Sequence, residues 1–217
     1  MSGRGGAHEN GRWSRILYLP CTAANQFQPE LPETRPDVVY LCSPNNPTGT
    51  VLGREALAAW VEYARANDTL SLFAAAPAAF IRADAVPHRI YEIPGADEVS
   101  VEFRSLSKTA GFTGLRCGYT VVPKKLRART ADGHELSLHD MWLRRQCTKY
   151  NGCPYIVQRA AEAAFTEPGR TQLLEALSVY QANADMMLKA CRDMGLRAFG
   201  GVHSPYVWLE TPGHVSS

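Results

Sequence analysis

Val-Val-Tyr-Leu-Cys at 38–42, followed by Ser-Pro-Asn-Asn-Pro-Thr-Gly at 43–49, is the stretch that decides the fold. Five apolar residues in a row, bounded by Pro36 and Pro44 and opening on two valines, suit a strand buried on both faces, as in a parallel sheet. Two prolines, two asparagines and a glycine within seven residues make 43–49 a loop. Downstream, Leu57, Trp60, Val61 and Ala64 recur at i, i+3, i+4 and i+7, which predicts a helix over 54–67. Leu70–Phe73 is then the next apolar strand. Strand, loop, helix, strand is a βαβ unit, so the chain is predicted to be α/β with a mostly parallel central sheet covered by helices.

The reading extends outward from there. Val99–Phe103 and Tyr119–Val122 are further strand candidates. Helices are predicted over 136–149, 154–166 and 168–194, with Pro168 in a first-turn position and Gly195 placed to cap the C-terminus of the last. Tyr206–Leu209 reads as a strand opening a second layer. On the upstream side, Ile16–Leu19 is a short strand candidate ended by Pro20, residues 21–36 are connector, and the first dozen residues read as loop.

Composition narrows the function classes. The chain has 217 residues, 23 Lys and Arg against 21 Asp and Glu, and a net charge of +2. That balance gives no nucleic-acid footprint. No apolar run reaches the ~18–20 residues of a membrane span, and the basic start lacks the apolar stretch of a secretory signal. Six scattered cysteines without a C-x-x-C fit reduced thiols in a cytosol-like compartment. Cys147 and Cys153 read as buried structural thiols, and Met186-Met187 as core. His134 and His139 are five apart, not the i, i+4 spacing of a zinc helix, so no metal site is expected.

Two segments carry candidate chemistry. Ser105-Leu-Ser107-Lys108, with Arg116 eight residues on, lies between two strand candidates and is punctuated by small residues and glycines. Its lysine amine can condense with an aldehyde cofactor, and its hydroxyls, backbone N–H groups and guanidinium can cradle a phosphate. Alone, S-x-S-K also reads as a surface turn. The 43–49 loop is a tight turn on one reading. On another it is a ligand loop at the carboxyl end of a strand, with an asparagine amide placed to orient a cofactor.

Together these segments resemble the fold-type I pyridoxal-phosphate (PLP) aminotransferases of classes I and II, over nearly the whole chain. YLPCTAANQFQPELP, VVYLCSPNNPTGTVLGREAL, RIYEIPGADEVSVEFRSLSKTAGFTGLRCGYTVVPKKL, KYNGCPYIVQ and SPYVWLE are most similar to the family's LL-diaminopimelate branch. The resemblance implies the large domain of the PLP-dependent transferase (aspartate aminotransferase-like) fold, truncated at both ends. Residues 1–167 would be part of that domain, and 168–217 the linking helix and start of the small one. It implies amino-group transfer between LL-diaminopimelate or tetrahydrodipicolinate and glutamate or 2-oxoglutarate, in a homodimer, in the cytoplasm, or in a chloroplast if the source is a plant or alga. Lys108 matches the PLP-holding lysine. Ser105, Ser107 and Arg116 match phosphate-binding positions, Asn46 (with Asn45 beside it) the asparagine facing the phenolic oxygen, and Asn151 an asparagine near the substrate.

The resemblance also exposes departures. The family has an aspartate and a tyrosine where this chain has Ala74 and Pro77. The aspartate keeps the pyridine nitrogen protonated, which makes PLP an electron sink. The family's chain is roughly twice as long. The alternative reading is therefore a non-catalytic fragment or pseudoenzyme of the same fold, with exposed sheet edges and uncovered apolar faces.

Overall fold

The structure, a computed structural model, describes residues 8, 9 and 12–214. Of the first dozen residues, expected as loop, His8–Glu9 pairs antiparallel with Arg12–Trp13 instead, and the others lie outside the described residues. A four-stranded sheet forms the centre, with β1 (Val38–Cys42), β2 (Leu70–Ala74), β3 (Ser100–Ser105) and β4 (Gly118–Val121) in that spatial order. β1, β2 and β3 are parallel, and β4 is antiparallel to β3. The mostly parallel sheet expected from the βαβ reading is present.

Helix α1 (Arg54–Ala66) makes the crossover from β1 to β2 and buries the four residues its periodicity marks, Leu57, Trp60, Val61 and Ala64. Burying each of the larger side chains is worth roughly 1.5–3 kcal/mol. They pack against Val39, Leu41 and Phe73 on one face of the sheet, with Ile90 and Ile93 from the return to β3. That return includes the short helix α2 (Ala96–Val99).

The strand at 38–42 is not buried on both faces. Val39 and Leu41 are buried, while Tyr40 is 80% exposed. Only one helical layer, on the α1 side, covers it among the described residues, and β1 is an edge strand of this sheet. Ile16–Leu19 does not form a strand either; Ile16 and Leu17 are exposed and pair with no neighbouring ladder.

A short helix, α3 (Leu106–Thr109), leaves the end of β3. Beyond β4, a hairpin of β5 (Arg127–Arg129) and β6 (Glu135–Ser137) precedes α4 (Leu138–Lys149). Residues 136 and 137, expected to be helical, thus belong to a strand. Ser137 caps the helix instead, accepting from the Asp140 N–H. Helix α5 (Tyr155–Ala164) follows, then α6 (Glu167–Asp193), with Thr166 as cap, Pro168 in its first turn and Gly195 in the left-handed conformation after its end.

Strands β7 (Ala198–Gly200) and β8 (Val207–Leu209) pair antiparallel and close the second layer. Helix α6 buries only Leu177, Ala184 and Cys191, a stripe repeating every seven residues. Met186 and Met187 fall off that stripe and are exposed, so they are not core. Cys147 is also exposed. The described part of α4 buries no residue, so a thiol there has nothing to pack beneath.

Candidate active site

Parallel strands place their carboxyl ends at one edge of a sheet, and the candidate residues gather there. The ladder continues into the loops: the Ser43 N–H donates to the Ala74 carbonyl and the Ala75 N–H to the Phe103 carbonyl, both at 3.0 Å. The Asn45-Asn46 loop, the Ala75–Phe80 turn and the Ser105–Lys108 segment therefore share that edge. Asn46 follows β1 and Ser105 ends β3, strands whose axes lie roughly 10 Å apart at strand spacing with β2 between them.

Antiparallel β4 brings in Arg116. Gly118 lies opposite Ser105 in the β3–β4 register, and the Leu106 N–H donates to the Cys117 carbonyl at 3.0 Å. Arg116 thus enters the same edge beside Ser107 and Lys108. Its backbone is left-handed, φ +60°, which costs a non-glycine residue about 1–2 kcal/mol. Outliers of this kind cluster at functional sites. Its guanidinium donates to the Thr113 carbonyl at 3.0 Å and is otherwise exposed.

Ser105 caps α3, its Oγ accepting from the Ser107 N–H at 3.1 Å. A hydroxyl still has a proton to donate in that arrangement. Lys108 lies in the last turn of α3, half-buried, and its ammonium pairs with no side chain among the described residues. α3 packs against the 78–80 turn that follows β2.

Asn151 lies in the loop between α4 and α5 and is exposed. That loop is drawn to the same end by its neighbours. Val157 packs with Leu106 and Phe112, and the Cys153 sulfur is 3.8 Å from the Cys117 sulfur. Burial and the neighbouring thiol push the Cys117 thiol above its ordinary range.

The asparagines differ in their commitments. The Asn45 carboxamide oxygen accepts from the Thr48 hydroxyl at 2.9 Å, so it organises the loop. Asn46 is exposed, with its amide uncommitted among the described residues. Gly49 closes the loop against the second layer. A Cβ there would stand 2.3 Å from the Tyr206 carbonyl oxygen.

A buried ion pair supports the edge from behind, and sequence reasoning missed it. Glu102, 2% exposed, accepts from Arg104 Nε at 2.6 Å and from the Ile90 N–H at 2.8 Å. Arg104 also donates to the His88 carbonyl at 2.7 Å. The signal was there as charges at i and i+2 inside a strand segment, which share one face. The Tyr91 hydroxyl donates to the Ser100 and Val121 carbonyls, and burial with Glu102 nearby raises its pKa.

A groove of about 920 Å³ beside β1 is lined by Leu17, Leu19, Phe27, Tyr40 and Asn45 among others, while Lys108 and Arg116 are not among its walls. The candidate residues Lys108 and Arg116 therefore lie outside this groove, which meets the candidate edge only through the Asn45 loop.

The donor set fits the two ends of PLP differently. Lys108 suits the aldehyde, and Ser105, Ser107 and Arg116 suit the phosphate. At the end of β2, Ala74 offers only a methyl group. Buried Pro77 heads the 78–80 turn with neither hydroxyl nor N–H.

Comparison with known proteins defines the class. The family model for aminotransferase class I and II matches residues 19–215. The chain belongs to the class I and II aminotransferases. Within that family it is similar to the LL-diaminopimelate aminotransferases of Phocaeicola vulgatus and Lawsonia intracellularis, at 55% identity over 217 residues. Those matches cover 100% of this chain and 53% of each relative, so the chain spans about half their length. Among solved structures, the L,L-diaminopimelate aminotransferase from Chlamydomonas reinhardtii superposes with a TM-score of 0.88 at 39% identity, over 96% of this chain and 50% of that one. BacF from Bacillus subtilis, at 22% identity and a TM-score of 0.75, shares the fold over 91% of this chain and 49% of its own. Among the described residues no helix is long and apolar enough to cross a membrane.

Proposed function

We propose that this chain carries the cofactor-holding part of a PLP-dependent aminotransferase of the LL-diaminopimelate type. Its reaction would move an amino group between LL-diaminopimelate or tetrahydrodipicolinate and glutamate or 2-oxoglutarate. The observation that carries this reading is the convergence of Lys108, Ser105 and Arg116 at the carboxyl edge of β3, with Asn46 on the loop after β1 at the same edge of the sheet. The 55% identity to enzymes of that name supports the substrate class.

In this reading the Lys108 amine holds the cofactor at its aldehyde. The Ser105 and Ser107 hydroxyls and the Arg116 guanidinium bind its phosphate by charge-assisted hydrogen bonds. The Asn46 amide orients the ring through its phenolic oxygen, and Asn151 faces the substrate. When bound, PLP supplies a sink for the electrons released at the substrate α-carbon. Once the substrate's amine has displaced it from the aldehyde, the freed Lys108 Nζ would accept the proton from the α-carbon. The division of labour along the chain would place the cofactor residues within 1–167, with 168–217 linking to a second domain. A homodimer is expected by family.

Ala74 and Pro77 favour a second reading, in which the site holds PLP but turns over poorly or not at all. One experiment separates the two. Glutamate formation from LL-diaminopimelate and 2-oxoglutarate is followed with added PLP, for the chain and for Lys108→Ala. PLP-dependent turnover lost in the variant supports the enzyme. PLP binding without turnover supports the pseudoenzyme.

A further inference from the structure

We propose that Cys117 and Cys153 form a reversible dithiol–disulfide site that loosens the phosphate-binding turn when oxidised. The two sulfurs are 3.8 Å apart although the residues are 36 apart in sequence, and both are half-buried. Closing to a disulfide needs the sulfurs to approach to about 2.05 Å. They share an apolar cluster with Leu106, Phe112 and Val157, directly under the turn that carries Lys108.

The position gives the bond its consequence. Cys117 follows Arg116 and holds the start of α3 through its carbonyl, which accepts from Leu106 N–H. Cys153 follows Asn151 by two residues. A covalent link draws the Arg116 segment toward the α4–α5 loop, and Arg116 is already held in a left-handed backbone that tolerates little adjustment. The effect on phosphate binding rests on the role given to Arg116 under the proposed function. The existence of the bridge does not.

The chemistry needs a two-electron oxidant, here a small-molecule disulfide such as oxidised glutathione. One protein thiolate attacks it, forming a mixed disulfide and expelling one glutathione thiolate. The second protein thiol, losing its proton, attacks the protein sulfur and expels the other. One protein S–S bond forms, one oxidant S–S bond is reduced, and the two thiol protons pass to the two released thiolates. Excess dithiothreitol reverses the sequence.

The test uses the full chain, oxidised with excess oxidised glutathione and digested without reduction. Peptide mass mapping is expected to find a Cys117–Cys153 cross-link that dithiothreitol removes and Cys153→Ser lacks. Glutathione adducts on exposed Cys21 and Cys147 with no such cross-link would overturn the proposal. PLP affinity is then measured for reduced and oxidised chain. Losing one charge-assisted contact predicts a drop of roughly tenfold or more. The drop should be absent in Cys153→Ser. A cross-link with unchanged PLP affinity would overturn the regulatory effect. Failure of the reduced chain to bind PLP would overturn the reading of the site while leaving the cross-link to stand or fall on the map.

Discussion

Replacing Gly49 with alanine tests how the Asn46 loop is held. Gly49 has φ +70°, and an added Cβ would meet the Tyr206 carbonyl oxygen at 2.3 Å and the Gly200 Cα at 3.1 Å. Both obstacles are backbone, so no side chain can swing away. The left-handed conformation costs an alanine about 1–2 kcal/mol. Forcing a methyl into a filled contact costs about 1–3 kcal/mol more. The sum, roughly 2–5 kcal/mol, corresponds to a fall in melting temperature of about 4–20 °C for a chain of this size. The assay is a denaturant titration followed by tryptophan fluorescence, since buried Trp60 reports on the α1–sheet core. Gly114→Ala is the control, because nothing lies within 4 Å of its added Cβ. It is expected to be neutral, or to stabilise by about 0.4–1 kcal/mol through the unfolded chain. A Gly49→Ala midpoint indistinguishable from the control would refute the close approach of the loop to Gly200 and Tyr206.

Other outcomes follow from the same geometry. Arg104→Met leaves Glu102 buried without its cation and should cost about 3–5 kcal/mol; a loss of unfolding free energy in urea of less than about 1 kcal/mol would contradict a buried pair. His203 accepts from the Arg82 N–H through Nδ1, and burial with Arg82 and His88 nearby lowers its pKa below 6.5. The unfolded chain therefore binds the proton first, so stability present above about pH 6.5 should fall as pH drops through the lowered folded value. His203→Asn should flatten that slope between neutral and mildly acidic pH, and an unchanged slope would remove His203 as its source. Restoring a carboxylate and a hydroxyl with Ala74→Asp and Pro77→Tyr should raise PLP-dependent amino transfer by about a thousandfold, the equivalent of ~4 kcal/mol in the transition state. Equal rates in parent and double variant would show that positions 74 and 77 do not limit the chemistry.

The βαβ core was legible because its signals are local. The 3.6-residue period of Leu57, Trp60, Val61 and Ala64 marks the buried face of α1, and the prolines around 38–42 bound β1. Burial was less legible, because it depends on what lies across from a residue. Tyr40 reads as core by type, yet among the described residues nothing covers it, and Met186-Met187 fail for the same reason on α6. The β5–β6 hairpin hid in a polar stretch whose pairing is fixed by the turn between Thr130 and His134. At the site, contiguous Ser105–Lys108 was visible as a motif, whereas its closeness to Arg116 depends on the antiparallel β3–β4 register. Glu102 and Arg104 are neighbours in one strand, but their contacts with Ile90 and His88, like the Cys117–Cys153 contact, exist only in the folded chain.

The most direct test of the central claim is borohydride reduction of the chain after PLP is added, followed by peptide mass mapping. A pyridoxyl group on Lys108 alone, lost in Lys108→Ala and weakened in Arg116→Ala, is the predicted result. No adduct, or adducts scattered over surface lysines, would contradict it, and would mean that the edge formed by β3, α3 and β4 is not a cofactor site.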